Sequence, residues 1–247
     1  MKNNLSTYLF IGILSGLMLY CTPSAEKKAI NIIEKSIEAH GGQEAWNNLE
    51  SLKFRKKTKL LLEDGSVESE TDQWIQFRMK PYFEGSISWV SDSVEHISVF
   101  DGAQMKYTMG GNAVQNPDFL KSKKKDFDAA FYVIGQPWKL LEDESATLTY
   151  EGQKNLDSGK LVETVRVNYG PEEDVWWYYF DPVSFEMVGN EVQLKDHRSY
   201  LENNSMVKAE PFLFYGKRSS YRVDENGKKL FLRAEYEYSD FEIKIRE

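Results

Sequence analysis

The chain has 247 residues, 41% hydrophobic and 14% aromatic content, 31 basic against 39 acidic residues, and a formal net charge of −8. That much apolar material supplies a core and excludes a disordered chain. The acidic balance repels phosphate backbones and excludes charge-driven docking on nucleic acid or on an anionic membrane. Cys21 is the one cysteine, so an intramolecular disulfide and a cysteine-based zinc cluster are excluded too.

Lys2 provides a positive start, and residues Leu5 to Tyr20 carry no charge. The run is short for a spanning helix and right for the apolar part of an export signal. Cys21 closes it and Thr22-Pro23-Ser24 begins a polar stretch. The pattern resembles a bacterial lipoprotein signal, in which the cysteine is lipidated and becomes the new N-terminus. Tyr20 stands where such signals usually place a small residue, so an ordinary secretory signal or an uncleaved anchor stays open as an alternative. The expected organisation is a signal over 1–21, a tether over 22–28 and one domain over 29–247. No second apolar stretch approaches membrane length.

Ala29 to His40 reads as an amphipathic helix with Ile30, Ile33 and Ile37 at helical spacing, ended by Gly41-Gly42. Gln43 to Leu49 allows one further turn carrying Trp46. From Leu52 the period becomes two. Leu52, Phe54, Thr58, Leu60 and Leu62 alternate with Lys53, Arg55, Lys57 and Lys59 up to an Asp64-Gly65 hairpin turn. The next strand sets Val67, Thr71, Ile75, Phe77 and Met79 against Glu68, Glu70 and Asp72, so the charges of the two strands match for cross-strand pairing. Further strands are expected over Phe83–Trp89, Val94–Phe100 and Met105–Met109.

Residues 110 to 145 interrupt the strands. Asp118 to Ile134 is expected to be helical, with Phe127, Phe131 and Ile134 on one face and Gly135-Gln136-Pro137 as its stop. Strands resume around Leu148–Tyr150, Leu161–Tyr169, Val175–Phe180 and Phe185–Leu194. A polar connection is read over 195–210, then strands at Phe212–Val223 and, after Asp224-Glu225-Asn226-Gly227, a last strand with Leu230, Leu232, Ala234, Tyr236 and Tyr238 on one side. The fold class is mainly β (α+β): one curved antiparallel sheet of about eleven strands with helices on its apolar face.

Ala39-His40-Gly41-Gly42 with Trp46, followed by Leu49-Glu50-Ser51-Leu52, resembles the opening of a family of uncharacterised Gram-negative envelope lipoproteins. Trp177-Tyr178-Tyr179-Phe180-Asp181-Pro182 looks like the same family's strand end. Such proteins are similar in fold to the LolA/LolB lipoprotein-localisation factors. The resemblance implies a half-open barrel of roughly eleven strands, with a helical lid over an apolar cavity and a hydrophobic ligand, a lipid or acyl chain. No residue matches the LolA or LolB functional positions, so only the architecture carries over. The location implied is the envelope, held by the lipid anchor at Cys21, at the outer membrane facing the periplasm.

An open barrel fills its concavity with side chains or with a ligand. The candidate lining is Phe54, Leu60, Ile75, Phe77, Phe83 and Ile87, with Trp89, Met105, Tyr107, Met109, Tyr236 and Tyr238 from later strands and Phe131 and Trp138 from the lid. Methionines and large aromatics suit an adaptable apolar pocket. The same residues equally suit a packed core, which would make the protein a structural or interaction lipoprotein without a ligand. His40 at a helix C-terminus is expected to act as a partly charged cap. His96 and His197 lack metal-ligand spacing, and no nucleophile elbow or phosphate loop is present, so no cofactor, metal or enzymatic constellation is expected. The run Lys121, Lys123, Lys124 and Lys125 reads as a solvated helix face.

Overall fold

The computed structural model describes residues 24–246. Helix α1 spans Ala25–Ala39. Ser24 caps it by accepting from the Lys27 N–H at 3.2 Å. It therefore begins inside the segment expected as a tether, which corrects that reading: 25–28 are helical. The short helix α2 (Gln43–Asn47) follows, then strands β1 (Leu49–Leu61), β2 (Val67–Arg78), β3 (Glu84–Ser91), β4 (Val94–Phe100), β5 (Met105–Met109) and the two-residue β6 (Asn112–Ala113). Helices α3 (Pro117–Ile134) and α4 (Lys139–Glu142) come next. The second run comprises β7 (Thr147–Asn155), β8 (Leu161–Asn168), β9 (Val175–Phe180), β10 (Met187–Gln193), β11 (Arg198–Asn203), β12 (Met206–Ala209), β13 (Phe212–Tyr215), β14 (Lys217–Val223) and β15 (Lys229–Ile245).

Thirteen strands form one open antiparallel sheet in the order β6-β5-β4-β3-β2-β1-β15-β14-β11-β10-β9-β8-β7, and β12-β13 form a separate ribbon. The first and last strands meet at the centre of the sheet. The segment carrying α3 and α4 connects its two far edges, because β6 and β7 are consecutive in the chain and lie at opposite ends. One face carries the main core, to which the helices and the ribbon contribute Ile33, Phe127, Trp138 and Phe214; we call it the inner face. The outer face holds a small second cluster of Val162, Tyr179, Tyr200 and Val223.

The strand count exceeds the expected eleven, and the excess has local causes. Strands β11 and β12 lie in the expected polar connection, and the expected strand 212–223 is two strands parted at Gly216. A Cβ there would sit 2.7 Å from the Ser205 hydroxyl, so the bend leaves little room for a larger residue. On β1 and β2 the expected charge pairing is present: the Arg55 Nε donates to Asp72 at 2.7 Å, and Lys59 lies 3.6 Å from Glu70. These pairs are surface-exposed and contribute little stability. Phe77 packs against Phe127 and Phe131 at ring distances of 5.2 and 5.0 Å, so α3 is clamped to β2.

Candidate functional site

Period-two alternation on β9 sends Trp176, Tyr178 and Phe180 to the inner face and Trp177 and Tyr179 outward. Register then aligns two rows across the sheet: Val165, Tyr178, Asn190, Leu201 and Ser220 in one, Val167, Trp176, Val192 and Ser199 in the other. Helix α3 brings Ala129, Tyr132 and Val133 to the same place, and between them lies a cavity of about 440 Å³. A second cavity of about 320 Å³ shares Ala129 and Val133 and continues the space towards Phe54, Lys56, Ile75, Ile87 and Tyr238. A larger space of about 590 Å³ is ionic in character, with Lys57, Lys59 and Lys217 facing Glu70, Asp72 and Glu235. The first cavity has the chemistry of a hydrophobic-ligand site: apolar and aromatic walls with few polar groups.

Those polar groups are largely satisfied among themselves. Gln136 donates from Nε2 to the Tyr178 hydroxyl at 3.2 Å, and the Tyr215 hydroxyl donates to Gln136 Oε1 at 3.3 Å. The Tyr132 and Tyr169 hydroxyls are paired at 2.9 Å. Burial raises the Tyr132 and Tyr178 phenols well above the usual range, so both stay neutral. The wall of this cavity, among the described residues, holds no histidine, lysine or carboxylate, so it offers no general base. Arg218 is its one charged member, buried at 3% exposure.

The residues expected to line the pocket divide into three groups. Phe54, Ile75, Ile87 and Tyr238 border the 320 Å³ cavity, and Tyr236 borders the ionic one. Phe77, Phe83, Trp89, Met105, Tyr107, Phe131 and Trp138 border none of these three spaces and pack in the core beneath α3 and α4. Met109 is 48% exposed at the end of β5, which corrects its placement as lining, and a register shift after Leu60 leaves that residue half-buried outside the cavities. Cys21 lies outside the described residues. None of the residues expected as lining borders the 440 Å³ cavity, so sequence reasoning missed its whole wall, Tyr132, Trp176, Tyr178, Val192, Leu201 and Arg218 among it. The alternation of Trp176 and Trp177 was the one available signal.

His40 corrects a second expectation. It caps α1, yet it is buried at 1% exposure and neutral. Its Nδ1 donates to the Leu213 carbonyl at 2.8 Å and its Nε2 accepts from the Met187 N–H at 3.1 Å. Burial lowers its pKa to about 4. Trp46 stacks on Trp138 at 4.6 Å, and the Trp138 indole N–H donates to the Gly42 carbonyl at 3.2 Å. A Cβ on Gly41 would lie 2.8 Å from the Pro211 carbonyl oxygen. The Ala-His-Gly-Gly…Trp block is thus a structural clasp joining α1, α2, α4 and the β12-β13 ribbon, away from the cavity.

No family model matches the chain and no curated protein sequence matches it. Its shape is similar to solved structures. A DUF1329 family protein from Desulfovibrio piger superposes with a TM-score of 0.56 at 7% identity, over 90% of this chain and 94% of that one. A LolA superfamily protein from Nitrosomonas europaea gives 0.52 at 10% identity, over 89% and 94%. The fold is LolA-like. A domain from Vibrio parahaemolyticus, assigned as an outer membrane lipoprotein-sorting protein, gives 0.52 at 8% identity over 89% and 93%. The LolA-like sheet is open at β6 and β7, and the helices and ribbon cover its inner face.

Proposed function

We propose that this chain is a lipid-anchored protein of the bacterial envelope that binds or carries a hydrophobic ligand, a lipid or acyl chain, on the inner face of its LolA-like sheet. The observation that carries the reading is the 440 Å³ cavity, walled by Trp176, Tyr178, Val192 and Leu201 under α3. Its size falls in the range of small-molecule sites, about 300–1,000 Å³. The absence of a general base from the described wall supports binding over catalysis. The lipoprotein-like pattern ending at Cys21 supports the envelope location and the anchor, and the likeness to a domain assigned to lipoprotein sorting agrees with the envelope location.

The test is native mass spectrometry of the full-length chain carrying Cys21→Ser, purified from a Gram-negative host, with lipid extraction in parallel. The expected result is co-purified lipid or fatty acid near one per chain. Val133→Trp, which places an indole where the two cavities join, is expected to remove it while leaving the thermal midpoint within a few degrees. A bare mass that stays unchanged after incubation with lipids would instead support a structural or interaction lipoprotein.

A further inference from the structure

Arg218 is the unusual residue of the cavity. It lies on β14, at the inner-face position opposite Asn203 on β11 and Tyr236 on β15. It is 3% exposed. Its Nε donates to Asn203 Oδ1 at 2.8 Å, and one Nη donates to Asn190 Oδ1 at 3.2 Å. The guanidinium carbon sits 4.0 Å from the centre of the Tyr215 ring. These contacts orient the group but are all uncharged. Among the described residues no carboxylate forms an ion pair with it, although sixteen Lys/Arg–carboxylate pairs are present there. The phenols around it do not supply the missing charge, since burial raises Tyr178, Tyr215 and Tyr236 and keeps them neutral.

A guanidinium has five N–H donors in a planar fork. Two are bonded here, and the others have no protein acceptor among the described residues. A cation held by neutral partners alone, with donors left over, is a place for an anion. Arg218 also borders both the apolar cavity and the ionic space beyond it. It therefore stands where the polar end of a chain-like ligand would meet the protein while the tail lies against Trp176 and Leu201. A cavity of about 150 Å³ holds one benzene, so 440 Å³ takes roughly 18 carbons, the scale of one fatty acyl chain.

We infer that the cavity takes a long-chain fatty acid, tail in the apolar space and carboxylate on the Arg218 guanidinium between Asn190 and Asn203. The inference rests on the hydrophobic-ligand reading and adds the headgroup. Binding completes the ion pair the protein lacks, and the planar carboxylate matches the planar fork. No bond is made or broken.

The test uses the full-length Cys21→Ser chain, stripped of lipid, titrated with oleate, oleyl alcohol and oleoyl lysophosphatidate below their critical micelle concentrations and read by tryptophan fluorescence. Oleate is expected to bind at least about tenfold tighter than oleyl alcohol, as charged hydrogen bonds worth 1.4 kcal/mol or more require. Arg218→Leu is expected to level the two. Equal wild-type affinities would overturn the headgroup assignment and leave the hydrophobic-ligand reading standing. Tighter binding of the lysophosphatidate would replace carboxylate by phosphate and likewise overturn it. Failure of all three ligands would overturn both readings together. If Arg218→Leu does not fold, the wild-type comparison of the three ligands decides alone.

Discussion

His40 carries a titratable group in a place with no room for its charge. Both ring nitrogens are committed to backbone groups of other segments, Leu213 and Met187, and only the neutral tautomer with the proton on Nδ1 satisfies both. The folded pKa of about 4 lies below the ordinary value of 6.5. Between these two values the unfolded chain binds more protons, so stability is complete above about pH 6.5 and falls as the pH drops towards 4. A shift of this size corresponds to about 3 kcal/mol once the fall is complete, by the conversion of 1.36 kcal/mol per unit. Urea unfolding at pH 7.5 and pH 5 should show the wild type losing about 2 kcal/mol on this account. His40→Gln should start lower and lose less over the same interval. An equal loss in both proteins would show that other groups carry the acid sensitivity.

At the scale of elements, the clasp and the cavity differ in how far their sequence reveals them. The clasp is built from the large side chains Trp46, Trp138 and Phe212, and helix α1 and the start of β1 follow clear periods. Trp138 is fully buried, stacks on Trp46 and meets Phe212 edge-on at 5.6 Å. Trp138→Ala should cost about 3–5 kcal/mol in denaturant unfolding. Trp46→Ala should be non-additive with it by about 1 kcal/mol, the worth of a stacked pair beyond its buried area. Strict additivity in the double mutant would show that the stacking adds nothing. Two of the cavity strands, β11 and β14, gave no such signal. Strand β11, Arg-Ser-Tyr-Leu-Glu-Asn, puts Ser199 and Leu201 inward and Arg198, Tyr200 and Glu202 outward, so neither face is cleanly apolar. The outer side is polar because Glu191, buried at 3%, is held there by Arg198 and by the Tyr179 hydroxyl. The inner side is polar because a cavity, and not a packed neighbour, lies over it. Strand β14, Lys-Arg-Ser-Ser-Tyr-Arg-Val, hides its register for the same reason. The residues around a void are the ones that hydrophobic alternation describes worst, so the list read from alternation described the filled half of the inner face better than the open half.

For the whole molecule, the early start of α1 brings the domain close to any anchor at Cys21. Ser24 already caps the helix, so three residue steps separate it from Cys21. A fully extended chain spans about 3.3–3.6 Å per residue, so the helix N-terminus can stand no more than about 11 Å from Cys21. A seven-residue tether would have allowed about twice that reach. If Cys21 carries the lipid, a protein held this closely would present α1 to the headgroups and leave little room for a partner beneath it. Metabolic labelling with palmitate is expected to mark the wild type and spare Cys21→Ser, and the wild type should sediment with membranes. In vesicles, a fluorophore at exposed Glu26 in the first turn should be quenched by headgroup spin labels when the chain is lipidated and should be unaffected in Cys21→Ser. Equal labelling of the two proteins would remove the anchor. Labelling without quenching at Glu26 would keep the anchor and show that the helix does not begin at Ser24, because a helix capped there leaves too short a chain to carry Glu26 out of reach.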